Sequence, residues 1–337
     1  MVYKGLAMSF ASMVIYLMGF GQGWFIFAFF VFIFGYLAWK ISMTALTKGP
    51  ERIRTLKELL GASSVILAFL TVSMFLIGFL IHAVSKVASI EAINTNNALL
   101  LGADRFIFSV PGPFWFQMDS NPLRRFFDFL APVFISSYLS LSLAICFILF
   151  VVLIKSGRVT ARVVFAFLLC PLISIPFWFA FPATSPLIAY QVPSAYREVS
   201  DDISVELEDY QPNQYLERFF DYRVSQNAAG PITTVPSMHI AWVTVIVYYL
   251  VLAWKRMIIP GVIYVALVNI GAVFTLQHYF VDLLAGTLVA IFAIGIVRYI
   301  PVERVSAVMV VERHLREDAR KVLYFLSRHN RVRRKKS

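Results

Sequence analysis

The chain has 337 residues, 30 Lys+Arg against 19 Asp+Glu, and a formal charge of +11. Hydrophobic residues make up 59% and charged residues only 15%, with a mean hydropathy of +0.75. A soluble domain carries roughly a quarter charged residues, so a soluble globular protein, a disordered chain and a coiled coil are excluded. The remaining class is an all-α, polytopic membrane protein.

In chain order the apolar runs predict about eight spans, with boundaries uncertain by about ±2–4 residues. The first two lie near 6–20 and 24–39, separated by Gly19, Gly21 and Gly23. One long bent helix through these glycines is the competing reading. The third covers about 60–87, the fourth 131–154, the fifth 163–181, the sixth 237–254, the seventh 258–276 and the eighth 279–299. Six of them form an expected catalytic core. The first run lacks a small-residue cleavage site and reads as a retained span. Cys146 and Cys170 lie inside apolar runs, with no disulfide or metal-binding spacing.

Charge orients the bundle. Lys40, Lys48, Arg52, Arg54 and Lys57 follow span two; Lys155, Arg158 and Arg162 follow span four; Lys255 and Arg256 follow span six. The tail ends in Arg331, Arg333, Arg334, Lys335 and Lys336. The positive-inside rule puts these segments and both termini in the cytoplasm. The basic charge serves topology, so nucleic-acid binding is rejected. Segments 88–130 and 182–236 are mixed or acidic and belong outside, in a bacterial inner membrane or a plasma membrane. The expected units are 1–90 (N-terminal spans), 91–130 (an extracytoplasmic interfacial segment), 131–300 (a catalytic membrane domain) and 301–337 (a tail). In the tail Val302, Val305, Val308, Val311 and Leu315 recur at helical spacing. This reads either as an amphipathic helix on anionic lipid or as a solvated tail that enforces topology.

Ionisable residues at span ends are candidates for function. In Val235-Pro236-Ser237-Met238-His239, Ser237 is placed to cap span six, and His239 falls in its first turn. That helix start favours a phosphate. In Gln277-His278-Tyr279-Phe280-Val281-Asp282, His278 and Asp282 are four apart and share a helix face. Two bilayer crossings separate His239 from His278, which returns them to one membrane depth. One His can attack, the Asp can orient it, and the second His can protonate a leaving oxygen. Alternatives are interfacial residues without a role, or a zinc site of two His and one Asp with water. His82 reads as an interfacial residue.

These elements resemble the type-2 phosphatidic acid phosphatase superfamily, with its Pro-Ser-x-His and His-x-x-x-Asp motifs on neighbouring helices. The resemblance covers roughly residues 130–300. It implies a phosphohistidine intermediate, with His278 as nucleophile, Asp282 orienting it and His239 as acid. No metal or cofactor is implied. Two departures stand out. Ala272 occupies the place of an Arg usual six residues before the nucleophile, and the early Lys-x6-Arg-Pro element is absent. Phe181-Pro182-Ala183-Thr184-Ser185-Pro186, together with Gln-His-Tyr-Phe-Val-Asp, resembles the inositol-phosphorylceramide synthase and sphingomyelin synthase branch.

Substrate-binding candidates are Ser237, Gln277, Tyr279, Arg124, Arg125 and Arg197, with Arg218 and Arg223 as further outer cations; ordinary loop charges are the alternative for the arginines. The aromatics Phe114, Trp115, Phe116, Tyr210, Tyr215, Phe219, Phe220 and Tyr222 form either a lid over a lipid site or, the favoured reading, an interfacial anchoring belt. The expected activity is transfer of a phosphate or phospho-head group between a lipid and an alcohol at the extracytoplasmic face. The alternatives are a lipid or polyprenyl phosphate phosphatase, a proton-coupled transporter, and an inactive scaffold. The expected partners are membrane lipids.

Overall fold

A computed structural model describes residues 38–46, 52–109, 112–155, 157–191, 210–225 and 233–301, with isolated positions at 35 and in the tail. The first expected span, nearly all of the second and most of the expected tail helix lie outside the described residues. Nine helices carry the described fold: α1 Arg52–Val87, α2 Ile90–Phe108, α3 Arg124–Leu139, α4 Leu141–Lys155, α5 Gly157–Ala180, α6 Gln214–Ser225, α7 Met238–Ala253, α8 Ile258–Phe274 and α9 Phe280–Tyr299. Among the described residues there are only isolated bridges, Met118 with Tyr210 and Ala183 with Thr233. The protein is an all-α membrane bundle.

Among the described residues, three helices are long and apolar enough to cross a membrane: Arg162–Ala180, Lys255–Phe274 and Phe280–Tyr299. A bent pair, Arg124–Leu139 with Leu143–Leu149, makes a fourth candidate, its halves 60° apart. The fourth expected span is therefore not a straight rod from 131. It begins at Arg124 and breaks at Ser140. The serines explain the break, because hydroxyls that bond nearby carbonyls compete with the helical ladder. Ser137 Oγ donates to Phe134 O at 2.8 Å and to Leu267 O at 3.0 Å, and Ser140 Oγ donates to Ser137 O at 3.3 Å.

α7 is the axis of the bundle. It packs against α4, α5, α8 and α9, and ten of its sixteen residues are buried. Its apolar side chains go all the way round, as an enclosed helix requires. Two glycines set the approach of its neighbours. A Cβ on Gly286 would lie 2.4 Å from Ser237 O, so α9 touches the backbone at the start of α7. A Cβ on Gly271 would lie 2.4 Å from Phe134 O, which brings α8 equally close to α3.

α2 is a helix that the charge reading had placed only as an outer interfacial segment. Ser89 caps its start by accepting from Ala92 N. Its buried residues, Ile93, Asn97, Leu100, Leu101 and Asp104, follow helical spacing along one face. Leu99, Phe106 and Ile107 are exposed. The buried face clamps the loop after α5. Asn96 Nδ2 donates to Pro182 O at 2.9 Å, Asn97 Nδ2 donates to Thr184 Oγ1 at 2.9 Å, and Asn97 Oδ1 accepts from Thr184 N at 3.0 Å.

Few tail positions are described. Lys40 Nζ pairs with Asp318 at 2.7 Å, and Arg313 pairs with Glu58 at 3.0 Å. These contacts join the tail to the basic segment before and at the start of α1.

Candidate active site

The first half of the site is the N-terminus of α7. Ser237 is the cap residue, extended in backbone, and its Oγ accepts from Ile240 N at 3.4 Å. It is fully buried, and its backbone N donates to Asp282 O at 3.3 Å. His239 follows in the first turn, half-buried. The start of the helix supplies positive partial charge here.

The second half is the reversal between α8 and α9. Leu276 takes a φ of 54°, in the left-handed region, and closes the end of α8. A non-glycine residue pays for that conformation unless its surroundings hold it. Here Leu276 is wholly buried beside Leu100, Leu101, Phe114 and Tyr279, and its carbonyl accepts from Leu187 N at 2.9 Å. The backbone N–H groups of Gln277 and His278 both bond to Ala272 O, at 3.0 and 3.2 Å. His278 is thereby presented from a tight turn, and α9 begins two residues later.

The halves meet at one nitrogen. His278 Nε2 lies 3.1 Å from His239 Nδ1 and 3.1 Å from Ser237 Oγ. The other ring nitrogen, Nδ1, lies 3.2 Å from Asp282 Oδ2. The same carboxylate oxygen accepts from Tyr279 N at 3.0 Å. Asp282 is completely buried and His278 nearly so. Burial holds the His278 imidazole below its ordinary value, because the charged form loses its water. A neutral ring beside an acceptor carboxylate carries its proton on Nδ1 and leaves a lone pair on Nε2. That lone pair points toward His239 and Ser237.

Asp282 and His239 occupy opposite nitrogens of the His278 ring. The three groups therefore do not converge on a point, as zinc ligands would. Among the described residues no group of three or more His, Cys, Asp or Glu is arranged to hold a metal ion.

The other predicted site residues fare differently. Tyr279 is buried in the cluster with Leu276 and Phe114. Gln277 is buried, and its Nε2 donates to Thr275 O at 3.2 Å within its own loop. Arg124 is not brought to the histidines. It pairs with Asp119, lies 3.8 Å from Asp128, and donates to Gln211 O at 3.0 Å. These contacts tie the start of α3 to the segment before α6. Arg125 is exposed, and Arg197 lies outside the described residues. Ala272, in the place of the family arginine, is fully buried in the main apolar core.

Two features of the surroundings escaped the sequence reading. Asp104 of α2, fully buried, accepts from Phe280 N through Oδ2 and from Val281 N through Oδ1, each at 2.9 Å. It caps the helix that carries Asp282. A carboxylate in register with the apolar face of an amphipathic helix was the available signal. The aromatics are the other correction to the favoured belt. Phe114, Phe116, Tyr210 and Phe219 are buried. Phe114 meets Tyr210 edge-on at 5.3 Å, and Phe116 meets Phe127 at 4.7 Å. Phe114 and Tyr210 pack onto Leu276 and Tyr279, so they cover the His278 turn instead of lining a membrane surface. Tyr215 alone among the described ones is clearly exposed, at 39%.

No curated protein and no solved structure matches the chain. The family model described as the PAP2 superfamily matches residues 124–296, more than half of the chain, including both histidines and Asp282. This protein therefore belongs to the PAP2 superfamily, whose members are phosphatases and phosphotransferases.

Proposed function

We propose that the protein is a lipid phosphotransferase that moves a phosphate or phospho-head group from a membrane lipid to an alcohol acceptor. The observation that supports this best is the convergence of His239 Nδ1 and Ser237 Oγ on His278 Nε2, with Asp282 behind Nδ1. In the first step the His278 Nε2 lone pair attacks phosphorus. The bond from phosphorus to the leaving oxygen breaks, and that oxygen takes a proton from Nδ1 of a protonated His239. In the second step neutral His239 removes a proton from the acceptor hydroxyl. The acceptor oxygen bonds phosphorus, and the electron pair of the phosphorus–nitrogen bond returns to His278. Asp282 orients His278 and balances the charge it gains. Ser237 Oγ and the first turn of α7 stabilise the anionic transition state. The chain's own residues supply nucleophile, acid and base, and the proposed mechanism uses no metal.

Transfer is preferred over hydrolysis on the burial of the site. His278 and Asp282 are shielded from solvent, and α2 and the aromatic cluster cover the turn between them. Excluding water protects a phosphoryl intermediate until the intended acceptor arrives. The Phe181–Pro186 segment supports a synthase-like reading. It borders the loop before α7 through the Ala183–Thr233 bridge, and Leu187, the residue after it, bonds through N to Leu276 O of the other motif loop. A lipid entering beside His278 would meet this segment.

The test is a lipid profile, by mass spectrometry, of membranes from host cells expressing wild-type protein or His278→Ala. A new phospholipid class found only with wild type supports transfer. Loss of a lipid phosphate without a new lipid would instead make the protein a phosphatase. Identical profiles, with wild-type protein inserted and folded, would contradict the reading.

A further inference from the structure

The acid and base steps both use Nδ1 of His239, so something must fix how its two nitrogens share protons. Tyr138, on the last turn of α3, places its hydroxyl 3.2 Å from His239 Nε2. The two rings lie 4.9 Å apart and tilted at 44°. Tyr138 reaches this place because the helix breaks just after it, at Ser140, with Ser137 pinned to α8 through Leu267 O. The contact joins residues 101 positions apart.

Proton counting along the chain gives the hydroxyl a definite role. Asp282 accepts, so His278 Nδ1 donates and its Nε2 holds the lone pair. In the arrangement the mechanism uses, His239 Nδ1 carries a proton and faces that lone pair at 3.1 Å, alongside the Ser237 hydroxyl at the same distance. In neutral His239 the lone pair is left on Nε2, and Tyr138 must donate to it. When His239 is protonated on both nitrogens, Nε2 becomes a donor and the Tyr138 oxygen must accept. A hydroxyl does both at one fixed distance by rotating about its C–O bond. After the acid step Nδ1 has given its proton to the leaving oxygen. The remaining proton sits on Nε2, bonded to Tyr138, and Nδ1 is left free to act as the base.

We propose that Tyr138 is the positioning residue of His239, its hydroxyl holding Nε2 through both protonation states so that Nδ1 is the nitrogen that exchanges protons with the leaving and attacking oxygens. The proposal rests on the phosphohistidine reading and adds to it a tautomer control from a helix outside the two motifs.

The experiment compares purified full-length wild type, His278→Ala and Tyr138→Phe in detergent, on dioctanoyl phosphatidic acid and on p-nitrophenyl phosphate, each with excess glycerol as the acceptor alcohol. The first ester has an alcohol leaving group that needs a proton; p-nitrophenolate leaves without one. Tyr138→Phe removes the hydroxyl and keeps the ring. The expected result is a fall in kcat of about tenfold or more on phosphatidic acid, the scale of one lost hydrogen bond in a proton-transfer network. KM stays within about threefold, and the loss on p-nitrophenyl phosphate is much smaller. A general loss of structure would lower both rates alike, so equal losses on the two esters overturn the proposal, as does an undiminished rate on phosphatidic acid. Tyr138→His, which restores a side chain able to donate or accept, is expected to recover part of the phosphatidic acid rate; no recovery with either variant, in a protein melting like wild type and with equal losses on both esters, counts against the role. Failure of the underlying reading looks different. It appears as full activity in His278→Ala, or as a wild type inactive on both esters, and it removes the proposal along with it.

Discussion

Asp282→Asn separates charge from shape at the centre of the site. The amide fits where the carboxylate sat, but it cannot both accept from Tyr279 N and hold the His278 proton on Nδ1 with full charge. The expected outcome is a protein that folds and loses about 10²–10⁴-fold in turnover, as when an orienting acid is neutralised. Full activity in a turnover assay would remove the orienting role. His278→Ala is expected to leave less than about one per cent of the rate, since loss of a nucleophile costs orders of magnitude. The three residues were legible in the sequence because each sits in a short motif whose spacing the helix geometry converts into proximity. Tyr138 and Asp104 were not. They reach the site from 101 and 176 positions away, and no local pattern encodes a contact across that distance. Arg124 has the charge a phosphate site needs, but Asp119 and Asp128 lie close in sequence and engage it.

At the scale of elements, the start of α9 is held from two sides. Asp104 of α2 caps its first two N–H groups, and Gly286 lets its second turn rest on the backbone of Ser237. Gly286→Val puts side-chain atoms where Ser237 O stands. Overpacking of this kind costs about 1–3 kcal/mol, and the shift also moves Asp282 relative to α7. The expected outcome is a lower melting temperature together with loss of turnover; a variant with wild-type values of both would show that the contact is not required. Asp104 makes a statement about pH. Burial, set against the pull of the two N–H groups, pushes its carboxyl up to about 7. The folded protein therefore binds this proton more readily than the unfolded chain does. The stability from this source is fully present below the unfolded carboxylate value near 4 and is lost as pH rises through about 7. Melting curves from pH 4 to pH 8 are expected to show a smaller decline in Asp104→Asn than in wild type. Equal declines would place the pH dependence elsewhere. α2 itself illustrates what hydropathy leaves out. It is too polar to read as a span, and its apolar face finds a partner only in the folded bundle.

At the scale of the whole molecule, the all-α membrane class followed from composition and the order of apolar runs, and the ends of α7, α8 and α9 fall within a few residues of the runs that predict them. The bend at Ser140 was hidden because Leu139, Leu141 and Leu143 alternate with the serines and carry the apolar run across it, while hydropathy does not register which carbonyls the hydroxyls bond. The proposed orientation, with the outer face carrying the site, is open to direct labelling. In a chain with Cys146 and Cys170 replaced, Ser120→Cys is expected to react with a membrane-impermeant maleimide on intact cells. Lys255→Cys is expected to react only after the cells are opened. The reverse pattern would invert the topology.

The measurement that tests the central claim most directly is the search for phosphate on His278 itself. Purified wild type and His239→Ala would be mixed with dioctanoyl phosphatidic acid, quenched in alkali, which preserves phosphohistidine, and mapped by mass spectrometry. The account expects a phosphoryl group on His278, destroyed by acid, and missing from a His278→Ala control. With p-nitrophenyl phosphate, whose leaving group needs no proton, it further expects His239→Ala to form the phosphoryl group and to lose it more slowly, because that variant lacks the base for the second step. Turnover of the lipid by wild type with no phosphate on His278 under single-turnover sampling, or with phosphate on another residue, would contradict it.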